Sequence, residues 1–75
     1  SYIEIIAKEL HAAGWSYGET AYIDAALGKH MTAVDAHKEG RIRIVARADD
    51  RQTAYMEARS MTAKADRRAE GEATE

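Results

Sequence analysis

The arginines are the first residues whose type and spacing suggest chemistry. Arg41, Arg43 and Arg47 stand in a run reading R-I-R-I-V-A-R. Side chains alternate between the two faces of an extended strand, so this spacing puts all three guanidinium groups on one side with Val45. Ile42, Ile44 and Ala46 fall on the other. Guanidinium is planar, permanently charged and forked to match carboxylate or phosphate, so such a face predicts anion recognition. Tyr22 and His30 are expected to extend it. A solvated face with no partner is the competing reading, because an open sheet surface carries polar side chains whether or not it binds anything.

Two further constellations invite chemistry. Asp35 and His37 lie two apart in an extended segment, so they share a face and can meet, with His30 in the same segment. Zinc would require a third ligand at a defined spacing, which is not visible, and no metal is assigned. Nucleophilic catalysis would require an activated hydroxyl in a pocket, and nothing marks Ser16 or Ser60 as one. A histidine tied to its neighbouring carboxylate near a hairpin end is the expected outcome. The stretch Gly14-Trp15-Ser16-Tyr17-Gly18 has two glycines but neither the lysine nor the strand-then-helix context of a phosphate loop. It reads as a tight helix-to-strand corner anchored by two aromatics, with an exposed aromatic contact patch as a further role.

These residues need elements to hold them. Ser1 to Ala13 has the helical period: Tyr2, Ile3, Ile6, Leu10 and Ala13 fall on one arc, Ser1 and Glu4 form a capping box, and Gly14 stands at the stop. The period then changes to two. Strands are expected over Tyr17 to Ala25, Lys29 to His37 and Arg41 to Ala48, with turns at Gly28 and at Glu39-Gly40. A second helix should begin at Asp49 or Asp50, with Asp49 as cap and Gln52 completing a capping box. Ala54, Ala58, Met61 and Ala65 form its stripe, with Tyr55 and Thr62 beside it. Residues 66–75 are polar and acidic at the end and are expected to fray. The expected fold class is α+β: a two-layer sandwich in the order α-β-β-β-α, one domain over 1–65, with both helices on one face of a three-stranded antiparallel sheet. Its core is expected to hold Ile3, Ile6, Leu10, Trp15, Ile23, Ile42, Ile44, Ala58 and Met61.

Composition restricts what such a domain can do. The chain has 75 residues, 45% hydrophobic and 32% charged, with no cysteine, no proline and no phenylalanine. Disulfides, iron–sulfur clusters and thiolate zinc sites are excluded. No apolar run is long enough for a membrane span or a signal-peptide core, and a cytoplasmic location is expected. A chain this short buries only about 60% of its unfolded surface. Trp15, Tyr2, Tyr17, Tyr22 and Tyr55 are therefore expected to supply much of the large buried area. Little room is left for a substrate pocket of about 300–1,000 Å³, so no enzyme activity and no cofactor are expected. The formal net charge is −2. It hides a segregation, since residues 1–40 are acidic on balance and residues 41–68 basic.

The motifs GWSYG (14–18), VDAH (34–37), G-R-x-R-I-V-x-R-A-D (40–49) and TAYMEARSM (53–61) resemble those of a family of short proteins common in proteobacteria and their mobile elements. With the first helix they cover nearly the whole expected domain. The resemblance implies a compact fold and brings no activity with it; the alanine-rich second helix and the charged tail depart from the pattern. The α-β-β-β-α order also resembles the double-stranded-RNA-binding domain, but in topology alone. That family sets lysines at the start of its second helix, where this chain has Ala48-Asp49-Asp50-Arg51. Acids against phosphate argue against RNA binding by that route. The expected function is a non-enzymatic protein–protein interaction module, in the manner of a phage or mobile-element inhibitor of a host nuclease or defence complex, anti-CRISPR-like. The alternative is a nucleic-acid-binding domain using the arginine face. The alanine stripe of the second helix would also allow a second helix to approach closely, so a homodimer is open.

Overall fold

A computed structural model describes residues 1–40 and 42–73. Its elements run α1 (Tyr2–Ala12), β1 (Ser16–Asp24), β2 (Lys29–Lys38), β3 (Ile42–Ala48) and α2 (Arg51–Ala73). The strands form an antiparallel meander in the order β1-β2-β3. The fold class is α+β, as the change of period along the chain predicts. No helix among the described residues is long and apolar enough to cross a membrane.

Local chemistry sets most boundaries. Ser1 Oγ accepts a hydrogen bond from the Glu4 N–H at 3.3 Å and starts α1. At the other end Gly14 takes φ 91°, and the N–H groups of Gly14 and Trp15 donate to the carbonyls of His11 and Leu10. That pair of bonds is a Schellman closure, which needs a residue free of the left-handed penalty. Glu39 and Gly40 both have positive φ at the β2–β3 turn. The second helix differs from expectation in its cap. Asp50 accepts from the Thr53 N–H at 2.8 Å and from its hydroxyl at 3.0 Å. These bonds hold the Asp50 carboxyl below its ordinary pKa. Asp49 instead lies 3.7 Å from the Lys29 ammonium.

One core lies between the sheet and the helices. Ile6, Leu10, Trp15, Val34, Ala36, Ala46, Ala48, Ala54, Tyr55 and Ala58 are buried together, with Ile3, Ile42 and Ile44 partly buried against them. On β2 the inward set is Thr32, Val34 and Ala36; on β3 it is Ile42, Ile44, Ala46 and Ala48. Both helices therefore cover the same face. α2 packs on β2 and β3, and α1 lies beside α2 and meets the sheet along β1. Alanine on both sides of the α2–sheet contact lets the layers approach closely. Ala54 and Ala58 of the stripe are fully buried inside this contact, so the stripe does not offer itself to a second copy.

Several core expectations are corrected. Ile23 is 63% exposed. It has the inward parity, but it pairs with His30 beside the β1–β2 turn, where neither helix covers the sheet. Met61 stands exposed on the flank of α2, and Thr62 takes the inward position, its hydroxyl donating to the Arg59 carbonyl at 3.0 Å. Of the aromatics, Trp15 and Tyr55 are buried, whereas Tyr2 and Tyr17 are exposed. α2 also continues past Ala65 to Ala73, where a frayed tail was expected. Asp66, within that stretch, is bound to Trp15 and Lys38.

Candidate functional site

Among the described residues, three clusters join charged side chains across elements, beside a simple Glu9–Arg59 pair between α1 and α2 at 2.9 Å. In the first, Asp66 on α2 accepts from the Trp15 indole N–H at 3.1 Å and from the Lys38 ammonium at 2.8 Å. Lys38 also stands 5.3 Å from the Trp15 ring centroid, within cation–π range. A side chain on Gly14 would meet the Lys38 stem at 3.2 Å, so the corner glycine also clears room for this lysine. Partial burial pushes the Asp66 pKa up, but the bonds from Lys38 and Trp15 outweigh it and hold the carboxyl below its ordinary value.

The second cluster ties β1 to the start of α2. Glu19 receives a two-pronged bond from Arg51, at 2.6 and 3.0 Å, and a third from the Tyr55 hydroxyl at 2.9 Å. The Arg51 bond is the chief cause holding Glu19 below the usual carboxylate range. Burial, with Glu19 as the next cause, pushes the Tyr55 phenol up to about 12. Tyr17 packs edge-on against Tyr55 at 6.1 Å between ring centroids. In both clusters each cation and each carboxylate has its partner. They are fastenings.

The third cluster lies on the open face. Cross-strand rows there read Tyr22 beside Met31, then Thr20, Ala33 and Arg47, then Gly18, Asp35 and Val45, then Ser16, His37 and Arg43. Ala33 and Val45 floor a shallow hollow of about 290 Å³, rimmed by Thr20, Tyr22, Asp35, Arg43 and Arg47. Short side chains at Ala33 on β2 and Val45 on β3 make the hollow, and the longer ones around them wall it. Arg43 reaches diagonally to Asp35, with its Nε 2.8 Å from the carboxylate and its terminal nitrogen bonded to the same oxygen. His37 Nδ1 is 3.8 Å from the other Asp35 oxygen. Arg47 is exposed, and no acid among the described residues pairs with it.

The structure thus brings Tyr22, Arg43 and Arg47 together and adds Asp35 and Thr20 to them. Arg41 lies outside the described residues. His30 is a correction: it pairs with Ile23 on the helix side of the sheet and cannot share a face with Arg43. Strand alternation already carried that signal, since His30 has the parity of Thr32 and Val34. No local signal announced the Asp66 and Glu19 fastenings, whose partners lie 28 to 51 residues away. Among the described residues no three His, Asp or Glu side chains gather as metal ligands.

Compared with protein-family models, curated proteins and solved structures, the chain matches none. What the open face can do is therefore read from its own geometry. A hollow this shallow does not enclose a small molecule. Its rim offers one unpaired guanidinium, one guanidinium shared with an exposed carboxylate, and a tyrosine, which together suit a protruding anionic group on a larger partner.

Proposed function

We propose that this chain is a non-enzymatic interaction module that binds an acidic surface of another protein through the open sheet face, with Tyr22, Arg43 and Arg47 as its contacts. The observation that carries the reading is Arg47: an exposed guanidinium on the rim of a hollow, with no acidic partner among the described residues. Arginine and tyrosine are also the side chains most often found at the energetic centre of protein interfaces. Arg43 can exchange Asp35 for a partner's carboxylate at little cost, because both groups are already hydrated. The motif resemblance to mobile-element proteins extends the proposal to a nuclease or defence complex of the host as the partner.

The alternative is nucleic acid, whose phosphates the same guanidinium groups would suit. Two features favour protein. The face carries Asp35 at the middle of its arginines, and β1 contributes no lysine or arginine to it. Capture of host proteins on the immobilised chain, with and without nuclease, tests the reading together with a paired Arg43→Glu and Arg47→Glu variant. The expected result is a stoichiometric protein partner that survives nuclease and is lost by the variant. Retention by a variant whose circular dichroism is unchanged overturns the site. Capture that vanishes with nuclease and falls steeply with salt supports nucleic acid instead.

A further inference from the structure

We propose that β1 is the surface through which two copies of this chain join, antiparallel about a two-fold axis at Thr20, to form one six-stranded sheet. β1 is an outer strand, paired with β2 without interruption from Ser16 to Asp24. Among the described residues no other strand takes its outer edge. A free edge of this length is a ready template for another strand, and proteins blunt such edges with lysine, proline or inward charge. β1 reads S-Y-G-E-T-A-Y-I-D and has neither lysine nor proline. Its two acids are engaged within the chain: Glu19 by Arg51 and Tyr55, and Asp24 by the N–H groups of Ala26 and Leu27 at 3.0 and 3.1 Å. The other edge is guarded, because β3 carries Arg43 and Arg47.

The occupant is a second copy because β1 complements its own reverse. Turned about Thr20, Tyr17 meets Ile23, Gly18 meets Tyr22, Glu19 meets Ala21 and Ser16 meets Asp24, and every pair stays on one face. Tyr17 and Ile23 point to the helix side yet are 41% and 63% exposed. In the pair each covers the other, twice, as aromatic against β-branched neighbours. Space around Gly18 is open, and a Tyr22 ring from the opposite copy fills it, as aromatic residues do for edge glycines. No like charges stand directly opposed. Glu19 lies diagonal to its copy, and each is held by its own Arg51. A two-fold normal to the sheet leaves both open faces on the same side, with the two β3 strands about 24 Å apart. The dimer does not rest on the function proposed above; it takes Tyr22 into its seam and leaves Arg43 and Arg47 of that face open in both copies.

Sedimentation equilibrium of the full chain, from low micromolar to millimolar concentration, is expected to show twice the 8.3 kDa chain mass. Thr20→Lys sets like charges opposite each other on the axis and is expected to weaken the dimer about tenfold or more. Thr20 is exposed, so the single chain should keep its fold, which circular dichroism checks. Thr20→Cys supplies the only thiol and is expected to give a covalent dimer with a short thiol-to-thiol cross-linker, whereas Ser60→Cys on exposed α2 is not. A monomer at every concentration overturns the proposal, as does a dimer indifferent to a folded Thr20→Lys. If Thr20→Lys unfolds, the cross-link decides alone, and its absence from a dimeric Thr20→Cys protein overturns the axis. Paired Arg43→Glu and Arg47→Glu should leave the dimer intact, which separates this outcome from failure of the binding face.

Discussion

Asp66 and Asp35 are each a carboxylate meeting a cation on the sheet, yet they do different things. Asp66 joins three separate pieces of chain, because Lys38 from β2 and Trp15 from the helix–strand corner both converge on it. Lys38 is in turn held by the Trp15 ring, and Trp15 is 1% exposed at the centre of the core. Releasing Asp66 would therefore strand groups that cannot easily reach water. Asp35 meets Arg43 on the open face, and the Arg43 side chain is 71% exposed. Separating that pair exposes nothing apolar. The same chemical pairing is a fastening where its members are also packed, and an exchangeable contact where they are not.

The largest effect should come from the packed side of this comparison. Trp15→Ala removes the largest fully buried side chain and the Asp66 donor together, with an expected loss of about 3–5 kcal/mol. That is enough to threaten folding of so small a domain, and urea denaturation would show it as a collapsed midpoint. Trp15→Phe keeps much of the packing and should lose less.

Asp66→Asn comes next, at about 1–2 kcal/mol after discounting for partial exposure. The pH dependence has a definite sign. The folded-state pKa of Asp66 lies below its unfolded value. Its contribution is thus complete above the unfolded value of about 3.9 and is lost as pH falls through the lowered folded value. Thermal melts from neutral to acidic pH should show a shallower acid limb in Asp66→Asn than in the parent. An unchanged limb would show that the fastening does not depend on its charge.

A smaller loss, about 1 kcal/mol, is expected for Tyr55→Phe, which deletes one of three bonds to Glu19. Ultraviolet titration would sharpen the assignment. A phenol at about 12 should be missing from this variant. Because the folded-state value is raised, the Tyr55 contribution is complete below the unfolded value of about 10 and lost as pH rises toward 12. The smallest effect belongs to the open face. Arg43→Ala should change stability by no more than about 0.5 kcal/mol. Should it cost as much as Asp66→Asn in the same denaturation assay, the contrast between the two carboxylates fails.

The candidate face was partly legible. Alternation along R-I-R-I-V-A-R put Arg43 and Arg47 on the side away from the isoleucines, and the structure has them there. It could not show that Arg43 takes Asp35, because that bond depends on the register between β2 and β3. Tyr22 reaches the same hollow through a second register, between β1 and β2. His30 lies off this face for a reason local to its strand: it shares the parity of Thr32 and Val34, which point to the helices.

The sequence by itself determined the order of elements, the stop at Gly14, the turn at Glu39-Gly40 and the inward face of β3. These follow from local periods, caps and backbone preferences, which act over a few residues. Only the tertiary structure decided that Ile23 is uncovered, that Asp66 meets Trp15 and Lys38, and that the α2 alanines face the sheet rather than a second copy. Each depends on where one layer ends over another. Helical and strand periods say which side of an element is apolar, but not how far its neighbour reaches.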